Sequence, residues 1–181
     1  MTTTTAQDSA TWQIDAAHSS ADFAVRHMMI SKVKGTFRVT DGKIATPAGS
    51  FIPTSIEATI DAASVNTREA ERDNHLRSGD FLDVEHFPTM AFRSTRITAN
   101  DNSTFVLAGE LTIHGVTKPV ELEAEFEGEG TDPWGKARVA YSAHTKINRK
   151  DFGLGWNQVL ETGGVLVGEQ IEISLAVEGV R

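Results

Sequence analysis

The segment VELEAEFE, residues 120–127, alternates apolar and acidic side chains without a break. Val120, Leu122, Ala124 and Phe126 therefore share one face of an extended chain, and four glutamates share the other face. A period of two residues is typical of a β-strand that is buried on one side. The segment predicts a strand whose apolar face points into the interior of the fold.

The same alternation recurs along the chain, most clearly in SIEATID (residues 55–61) and IEISLAVE (residues 171–178). Weaker cases bring the total to about eight or nine strands joined mostly by short connections. HGVTKP predicts a turn at Gly115, and TDG predicts a tight reversal at Gly42. Such strands form an antiparallel sandwich or close into an up-and-down barrel, whose interior is either filled by side chains or holds one small ligand.

Composition limits the classes of function that need to be considered. The chain has 181 residues, a size that fits one domain, and its formal net charge of −8 argues against nucleic acid or an anionic membrane surface as a partner. It contains no cysteine, which excludes disulfides, thiolate zinc sites and cysteine nucleophiles. No apolar run approaches the ~18 residues of a spanning helix.

The N-terminal residues are rich in threonine and offer almost nothing to bury. We therefore predict a disordered tail over residues 1–10 and a single folded domain over residues 11–181. The tail has neither the basic segment nor the apolar stretch of a secretory signal, so the expected location is cytoplasmic.

One segment interrupts the strand pattern. The sequence TREAERDNHLR predicts a short helical segment near residues 67–83, with Asn66 or Thr67 as N-cap and Gly79 as the stop signal. Side chains four residues apart are expected to pair on this helix, namely Asp73 with Arg77, and Glu71 with His75. The segment is expected to cap one end of the barrel, with its apolar side chains covering the edge of the lumen: Phe81, Leu82 and Phe87.

The same region carries a concentration of potential metal ligands, His75, Asp80, Asp83, Glu85 and His86. The two histidines are eleven residues apart with a turn between them, which is not the spacing of a helical zinc motif. A structural role is therefore favoured over a metal site or an acid–base pair.

Several longer stretches, taken together and in order, resemble the YceI-like family of polyisoprenoid-binding, lipocalin-like proteins. The resemblance covers residues 12–180 and lies in IDAAHSSADFAVRHMMISKVKGTF, IDAASVNTREAERDNHLRSGDFLDVEHFPTMAF, GELTIHGVTKPVELE, DPWG, INRKDFGLGWN and GGVLVGEQIEISLAVE. It implies an all-β, antiparallel, lipocalin-like barrel of about eight strands.

The resemblance also implies a function in binding, transport or storage of a long-chain isoprenoid lipid, of the polyprenyl or isoprenoid quinone type. No catalytic residue, metal or cofactor is implied, and no stable membrane insertion. Family members are often dimeric, so a homodimer is expected. Two alternatives stay open: a metal-dependent hydrolase that uses the His75–His86 segment, and a filled barrel that serves as an interaction scaffold.

Residues on the apolar faces of the strands are the candidates for the lumen. His27 shares the face of Phe23 and Val25 by count, and either points into the lumen or is an ordinary core histidine. The segment NRKDFGLGWN either covers the rim of the barrel or forms a mouth with cations near a polar head group. The predicted ligand-binding residues are Phe23, Val25, His27, Phe37, Val39, Ile56, Ala58, Ile60, Met90, Phe92, Leu111, Ile113, Leu122, Ala124, Phe126, Val139, Tyr141, Phe152, Leu154, Trp156, Ile173 and Leu175.

Overall fold

The computed structural model describes residues 9–181, and these residues form nine β-strands, one α-helix and two short 3₁₀ turns. The helix, α1, spans Ala70–Arg77, and the 3₁₀ turns span Ala16–His18 and Arg149–Phe152. The strands are β1 (Ala10–Ile14), β2 (Ser20–His27), β3 (Ser31–Thr46), β4 (Ser55–Asn66), β5 (Thr89–Ala99), β6 (Thr104–Ile113), β7 (Val116–Thr131), β8 (Ala137–Asn148) and β9 (Val167–Val180).

The strands close into an eight-stranded antiparallel barrel. Strands β2 to β9 pair in sequence order, and β9 returns to pair with β2. β1 pairs with β3 and β9 beyond the end of β2, so β1 and β2 share one position in the ring. The prediction of an all-β up-and-down barrel with a short helical segment is confirmed. Residues 1–8 of the predicted tail lie outside the described residues, and Ala10 already belongs to β1.

The alternation in β7 has the predicted orientation. Leu122 and Ala124 are buried, whereas Glu121, Glu123 and Glu125 are exposed. His114 and Gly115 form the two-residue connection from β6 to β7, and both have positive φ. This backbone conformation matches the twist of antiparallel hairpins, which explains how the predicted turn at Gly115 fixes the register of the two strands.

The predicted reversal at Gly42 is wrong, because β3 continues through this residue to Thr46. Gly42 pairs with Ala58 of β4, next to a shift in register between Val39 and Asp41. A methyl group on Gly42 would lie 2.5 Å from both the carbonyl oxygen of Glu57 and Cδ1 of Ile14. The glycine therefore permits a close approach of β4 and β1 within a bent strand, and does not mark a turn.

The ends of α1 differ from the prediction. The N-cap is Glu69, whose carboxylate accepts hydrogen bonds from the amides of Glu71 and Arg72. Asn66 instead accepts from the amide of Arg68 in the preceding turn. At the other end the C-cap is Ser78, not Gly79. The helix thus begins two or three residues later than its capping pattern predicts.

The polar side chains of α1 bond to other elements, so the predicted pairs along the helix are wrong. Asp73 is buried and accepts from the amide and the hydroxyl of Thr67 at 2.9 and 2.6 Å. Arg77 donates to the carbonyls of Ala63 and Val65 on β4. His75 Nε2 lies 2.8 Å from Asp80 Oδ2. The bonds of Arg77 fasten the helix to β4, and the other two hold the helical segment together.

The two ends of the barrel carry different connections. We call the end formed by residues 15–19, 47–54, 100–103 and 132–136 the closed end. We call the opposite end, formed by residues 28–30, 67–88, 114–115 and 149–166, the helix end. None of the helices in residues 9–181 has the length and apolar character needed to cross a membrane.

Aromatic side chains fill the closed end. Trp12 is buried and donates from its indole nitrogen to the Thr46 hydroxyl at 3.0 Å. Phe51 stacks on Phe126 with ring centroids 4.5 Å apart. The hydroxyl of Tyr141 donates to the carbonyl of Phe51 at 2.7 Å, which holds the β3–β4 connection over the barrel.

Candidate functional site

The barrel encloses a cavity of about 230 Å³ with a wall that is almost entirely apolar. Because about 10–15 Å³ suffices for one water molecule, the space can accommodate a sizeable hydrocarbon group. Side chains from all the barrel strands contribute to the wall, together with the helical segment and the β8–β9 connection. An apolar space of this kind suits an apolar ligand.

Most of the predicted lumen residues lie on this wall. They come from alternating positions of the strands, as expected for side chains that point inward. The small side chains of Ala58 and Ala124 are among them and leave room between the larger groups. Contact with a ligand stays a prediction for the whole set: Phe23, Val25, Phe37, Val39, Ile56, Ala58, Ile60, Met90, Phe92, Leu111, Ile113, Leu122, Ala124, Tyr141, Leu154, Ile173 and Leu175.

Two predicted residues belong to the closed end and are not on the cavity wall. Phe126 is stacked under Phe51, next to a shift in register between Phe126 and Gly128. Val139 is almost completely buried, and its side chain packs against Gly179 together with Trp12. Both side chains point inward as predicted, but the aromatic packing at this end leaves no open space beside them.

Three predicted residues at the helix end are also absent from the wall. Phe152 is buried beside β7, in the 3₁₀ turn that follows β8. Trp156 meets the edge of His75 at 4.7 Å and lies 5.2 Å from the Phe81 ring, so it covers Phe81 from outside. His27 follows a bulge between β2 and β9, which breaks the alternation on which its predicted orientation depended.

Other wall residues were missed by the sequence analysis. Ile171 and Val177 share a face with Ile173 in β9, so the alternation could have identified them. Phe81 and Leu82 are buried on the wall and close the helix end as predicted, whereas Phe87 packs against the His114 ring at 4.8 Å. Alternation also marks Val120, Ala21, Phe105 and Ile147, which share a face with predicted residues of β7, β2, β6 and β8. No comparable signal marks Ile14, Ile44, Val65, Leu76 and Val167.

Among the charged side chains on the cavity wall within residues 9–181, Arg149 is the one that is buried. Its guanidinium donates to four backbone carbonyls: Leu154 at 2.5 Å, Gly168 at 2.7 Å, Trp156 at 2.9 Å and Val167 at 3.3 Å. All four acceptors are neutral, and burial lowers the pKa of Arg149 from its ordinary value. Arg149 therefore holds the β8–β9 connection in place and brings positive charge to an otherwise apolar wall.

A second arginine organises a polar cluster at the closed end. Arg138 donates to Asp15 at 2.7 Å, to Glu178 at 2.6 Å and to Asp132 at 2.9 Å. These bonds raise the pKa of Arg138, and Arg138, with a smaller contribution from His18, lowers the pKa of Asp15 to about 2. The cluster is a network of compensated charges.

Two groups of residues bear on metal binding. In residues 9–181, Asp15, His18 and Glu178 are the one set of three potential ligands whose atoms lie within 4.8 Å of one another. Arg138 donates to both carboxylates, so its guanidinium takes the place of a cation in this set.

The potential ligands of the helical segment form two separate pairs. His75 bonds to Asp80, and His86 Nδ1 lies 2.9 Å from Asp83, whose hydrogen bond raises the pKa of His86. His75 also packs edge-on against Phe81 at 5.1 Å. These contacts are those of structural residues in the segment that caps the barrel.

Comparison with known proteins gives the same architecture. A family model described as the YceI-like domain matches residues 12–179. A UPF0312 protein of Vibrio cholerae is 36% identical over 178 residues, which cover 97% of this chain and 90% of the relative.

Solved structures share the fold at lower identity. The crystal structure of Burkholderia cenocepacia BcnA superposes with a TM-score of 0.77 at 20% identity and covers 91% of this chain and 98% of the other. A polyisoprenoid binding domain from Saccharophagus degradans, implicated in plant cell wall breakdown, superposes with a TM-score of 0.66 at 15% identity. It covers 93% of this chain and 97% of that domain. At these identities the two structures support the fold alone.

Proposed function

The chain belongs to the YceI-like domain family, and from this membership together with the cavity we propose that it binds a long-chain isoprenoid lipid inside its barrel. The observation that carries the proposal is the continuous apolar wall around an internal cavity. The apolar character of the wall favours a hydrocarbon chain. The isoprenoid class is supported by the polyisoprenoid binding domain from Saccharophagus degradans, which has the same fold.

The energetics of such a complex are favourable. Each methylene removed from water contributes roughly 0.8 kcal/mol, so several isoprene units stabilise the complex by several kcal/mol. Part of this gain is offset by the lost freedom of the ligand, at least ~4 kcal/mol for association in general. Binding therefore improves with chain length until the cavity is filled.

Arg149 gives the ligand an orientation. A carbonyl or phosphate oxygen of a head group would be stabilised near this buried cation, because charge interactions are strong in a dry environment. The hydrocarbon chain would then run from the helix end towards the closed end. A polyprenyl phosphate and an isoprenoid quinone both carry suitable oxygens, and we propose this class of ligand without choosing between them.

The proposed role is that of a carrier or storage protein without a catalytic step or cofactor. The hydrolase alternative requires metal held by the His75–His86 segment, whose side chains form two separate pairs. The scaffold alternative requires a filled interior, which does not fit a cavity of about 230 Å³. The cytoplasmic location and the homodimer stay predictions.

Native mass spectrometry of freshly purified, untagged protein tests the proposal. We expect a one-to-one adduct, and fragmentation of the released ligand should give a series spaced by one isoprene unit. Elemental analysis of the same sample distinguishes the hydrolase, which requires stoichiometric metal. Protein that carries neither lipid nor the ability to take up an added polyprenol would contradict the proposal.

A further inference from the structure

Large apolar side chains are exposed mainly at one place on the protein. In the part of the chain that the structure describes, five such side chains are strongly exposed, and four of them belong to the helix end. Met28, Met29 and Ile30 form the β2–β3 connection and are 43%, 55% and 80% exposed. Val159, in the β8–β9 connection, is 79% exposed. Exposed apolar clusters of this kind mark interaction sites.

The two connections form one unit. The amide of Met28 donates to the carbonyl of Leu166 at 2.8 Å, and a methyl group on Gly164 would lie 3.2 Å from Cγ of Met29. Val159 pairs with Val165 within the β8–β9 connection. We call Met28, Met29, Ile30 and Val159 the apolar tip.

Folding alone does not explain the residues of the tip. Met28 and Met29 have φ angles of 53° and 63°, in the left-handed region that side chains with a Cβ rarely adopt. Asparagine and glycine are the residues that favour this conformation in a hairpin turn. The chain thus places two methionines where they are conformationally unfavourable and exposed to solvent.

Basic side chains flank the tip although the whole chain is acidic. Arg26, Lys32 and Lys34 lie exposed on the two strands that lead into the β2–β3 connection. Lys32 is paired with Glu172 at 2.8 Å, so part of this charge is compensated. The exposed glutamates of β7 lie on the far side of the ring from β3. Apolar side chains flanked by cations complement an anionic bilayer surface.

The tip also lies beside the part of the cavity that is nearest to solvent. Along β2, Ala21 is buried, whereas Phe23 and Val25 become half-buried towards the β2–β3 connection. Val167, at the start of β9, is on the wall and pairs with His27, directly next to the tip. A ligand that enters between β2 and the β8–β9 connection would pass the tip.

We propose that the apolar tip docks peripherally on an anionic lipid bilayer and holds the helix end against the membrane. The passage of an isoprenoid ligand between bilayer and cavity rests on the proposed function, but the docking itself does not. A second copy of the chain is a poorer occupant, because four side chains offer far less than the roughly 800 Å² that each partner buries in a stable interface.

Sedimentation with vesicles of phosphatidylcholine and phosphatidylglycerol tests the docking. The triple variant Met28→Asn, Met29→Gly, Ile30→Ser places favourable residues at the two positive-φ positions, so it should be at least as stable as the wild type. We expect its vesicle affinity to fall by about tenfold or more through the loss of apolar contact. The matched control is Trp134→Ser, which removes the exposed apolar side chain at the closed end and should leave binding unchanged.

Three results would overturn the proposal: wild-type protein that does not sediment with the vesicles, a triple variant that binds as well as the wild type, and an equal loss of binding in the Trp134 control. Analytical ultracentrifugation of the same variants identifies a second copy as the occupant if the triple variant loses a dimer, and that outcome also contradicts bilayer docking. Copurified lipid is measured separately by mass spectrometry. Tip-dependent vesicle binding without any copurified lipid would support the docking and count against the proposed function.

Discussion

Each end of the barrel is held by an arginine, but the two arginines have opposite surroundings. At the closed end, Arg138 is bonded to three carboxylates, so its charge is compensated. At the helix end, Arg149 is buried against four neutral carbonyls, and its nearby acid, Glu169, is paired with Lys150 at 2.6 Å. The positive charge of Arg149 is thus only partly balanced beside the cavity. The difference is consistent with a stabilising role for the closed end, and in the proposed function a polar group of the ligand would sit at the helix end.

The two ends of the barrel also differ in how their side chains pack. The closed end is filled by Trp12, Phe51, Phe126 and Tyr141, which are joined by stacking and by hydrogen bonds. The helix end is closed by a segment that is bonded to β4 through Arg77 and covers the cavity with Phe81 and Leu82, and this end carries the exposed apolar tip. In the proposed function, a ligand would enter and leave at the helix end, beside the exposed apolar tip.

Replacement of the two arginines should give the largest difference in stability between the two ends. We expect Arg149→Met to lower the free energy of unfolding by about 4–5 kcal/mol, because four buried carbonyls lose their donor. Arg138→Met should cost less, because Asp15 and Glu178 keep some access to water and Asp132 keeps the backbone amides of Trp134 and Lys136 as donors. Urea denaturation at neutral pH measures both losses. A greater loss for Arg138→Met than for Arg149→Met would contradict the assignment of the two roles.

The second prediction compares a filled region with the cavity wall. Trp12→Ala removes a buried ring from the closed end and should cost about 3–5 kcal/mol. Ile173→Ala, on the cavity wall, should cost only about 2 kcal/mol, because a side chain beside empty space has fewer contacts to lose. Denaturation of lipid-free protein gives both values. Equal costs would mean that the cavity is as well packed as the closed end.

The cluster of Arg138 and its carboxylate partners at the closed end should make the stability of the fold depend on pH. Because its pKa is lowered to about 2, Asp15 stabilises the fold fully above about pH 4, and this contribution is lost as the pH falls through about 2. Asp15→Asn should therefore cost about 1 kcal/mol at pH 7, since the pair is partly hydrated, and the difference from wild type should shrink between pH 4 and pH 2.

Acid denaturation of the wild type and Asp15→Asn checks this prediction. Asp151→Asn, an exposed residue at the helix end, is the control for the loss of one negative charge. A difference between Asp15→Asn and wild type that stays constant from pH 7 to pH 2 would show that the Arg138 pair does not contribute through the charge of Asp15.

The sequence predicted the structure well where neighbouring residues determine it. In β7, the alternation of Leu122 and Ala124 with glutamates determines which side faces inward, and the turn at Gly115 determines the pairing with β6. Both properties depend on a few neighbouring residues. The strand pattern was therefore sufficient to predict an antiparallel sandwich or barrel and much of the cavity wall, whereas the choice of the barrel rested on the family resemblance.

The predictions were wrong where contacts between residues far apart in the sequence determine the local structure. Gly42 has the local signature of a turn, yet it is required by the close approach of β4 and β1. His27 lost its predicted orientation to a bulge against β9, a strand that lies far away in the sequence. The position of Arg149 on the wall depends on the path of the β8–β9 connection, for which alternation provides no information.

The most direct test of the central claim adds the same bulk inside and outside the barrel. Ala124 lies on the cavity wall, and Glu125 is the next residue on β7 and is exposed. We expect Ala124→Trp to keep its stability to within about 1 kcal/mol, because the ring enters existing apolar space, and to lose the copurified lipid. Glu125→Trp should keep both. The measurement is the amount of isoprenoid lipid per chain by native mass spectrometry for the two variants and the wild type. A full lipid load in folded Ala124→Trp would contradict the claim that this cavity is the binding site.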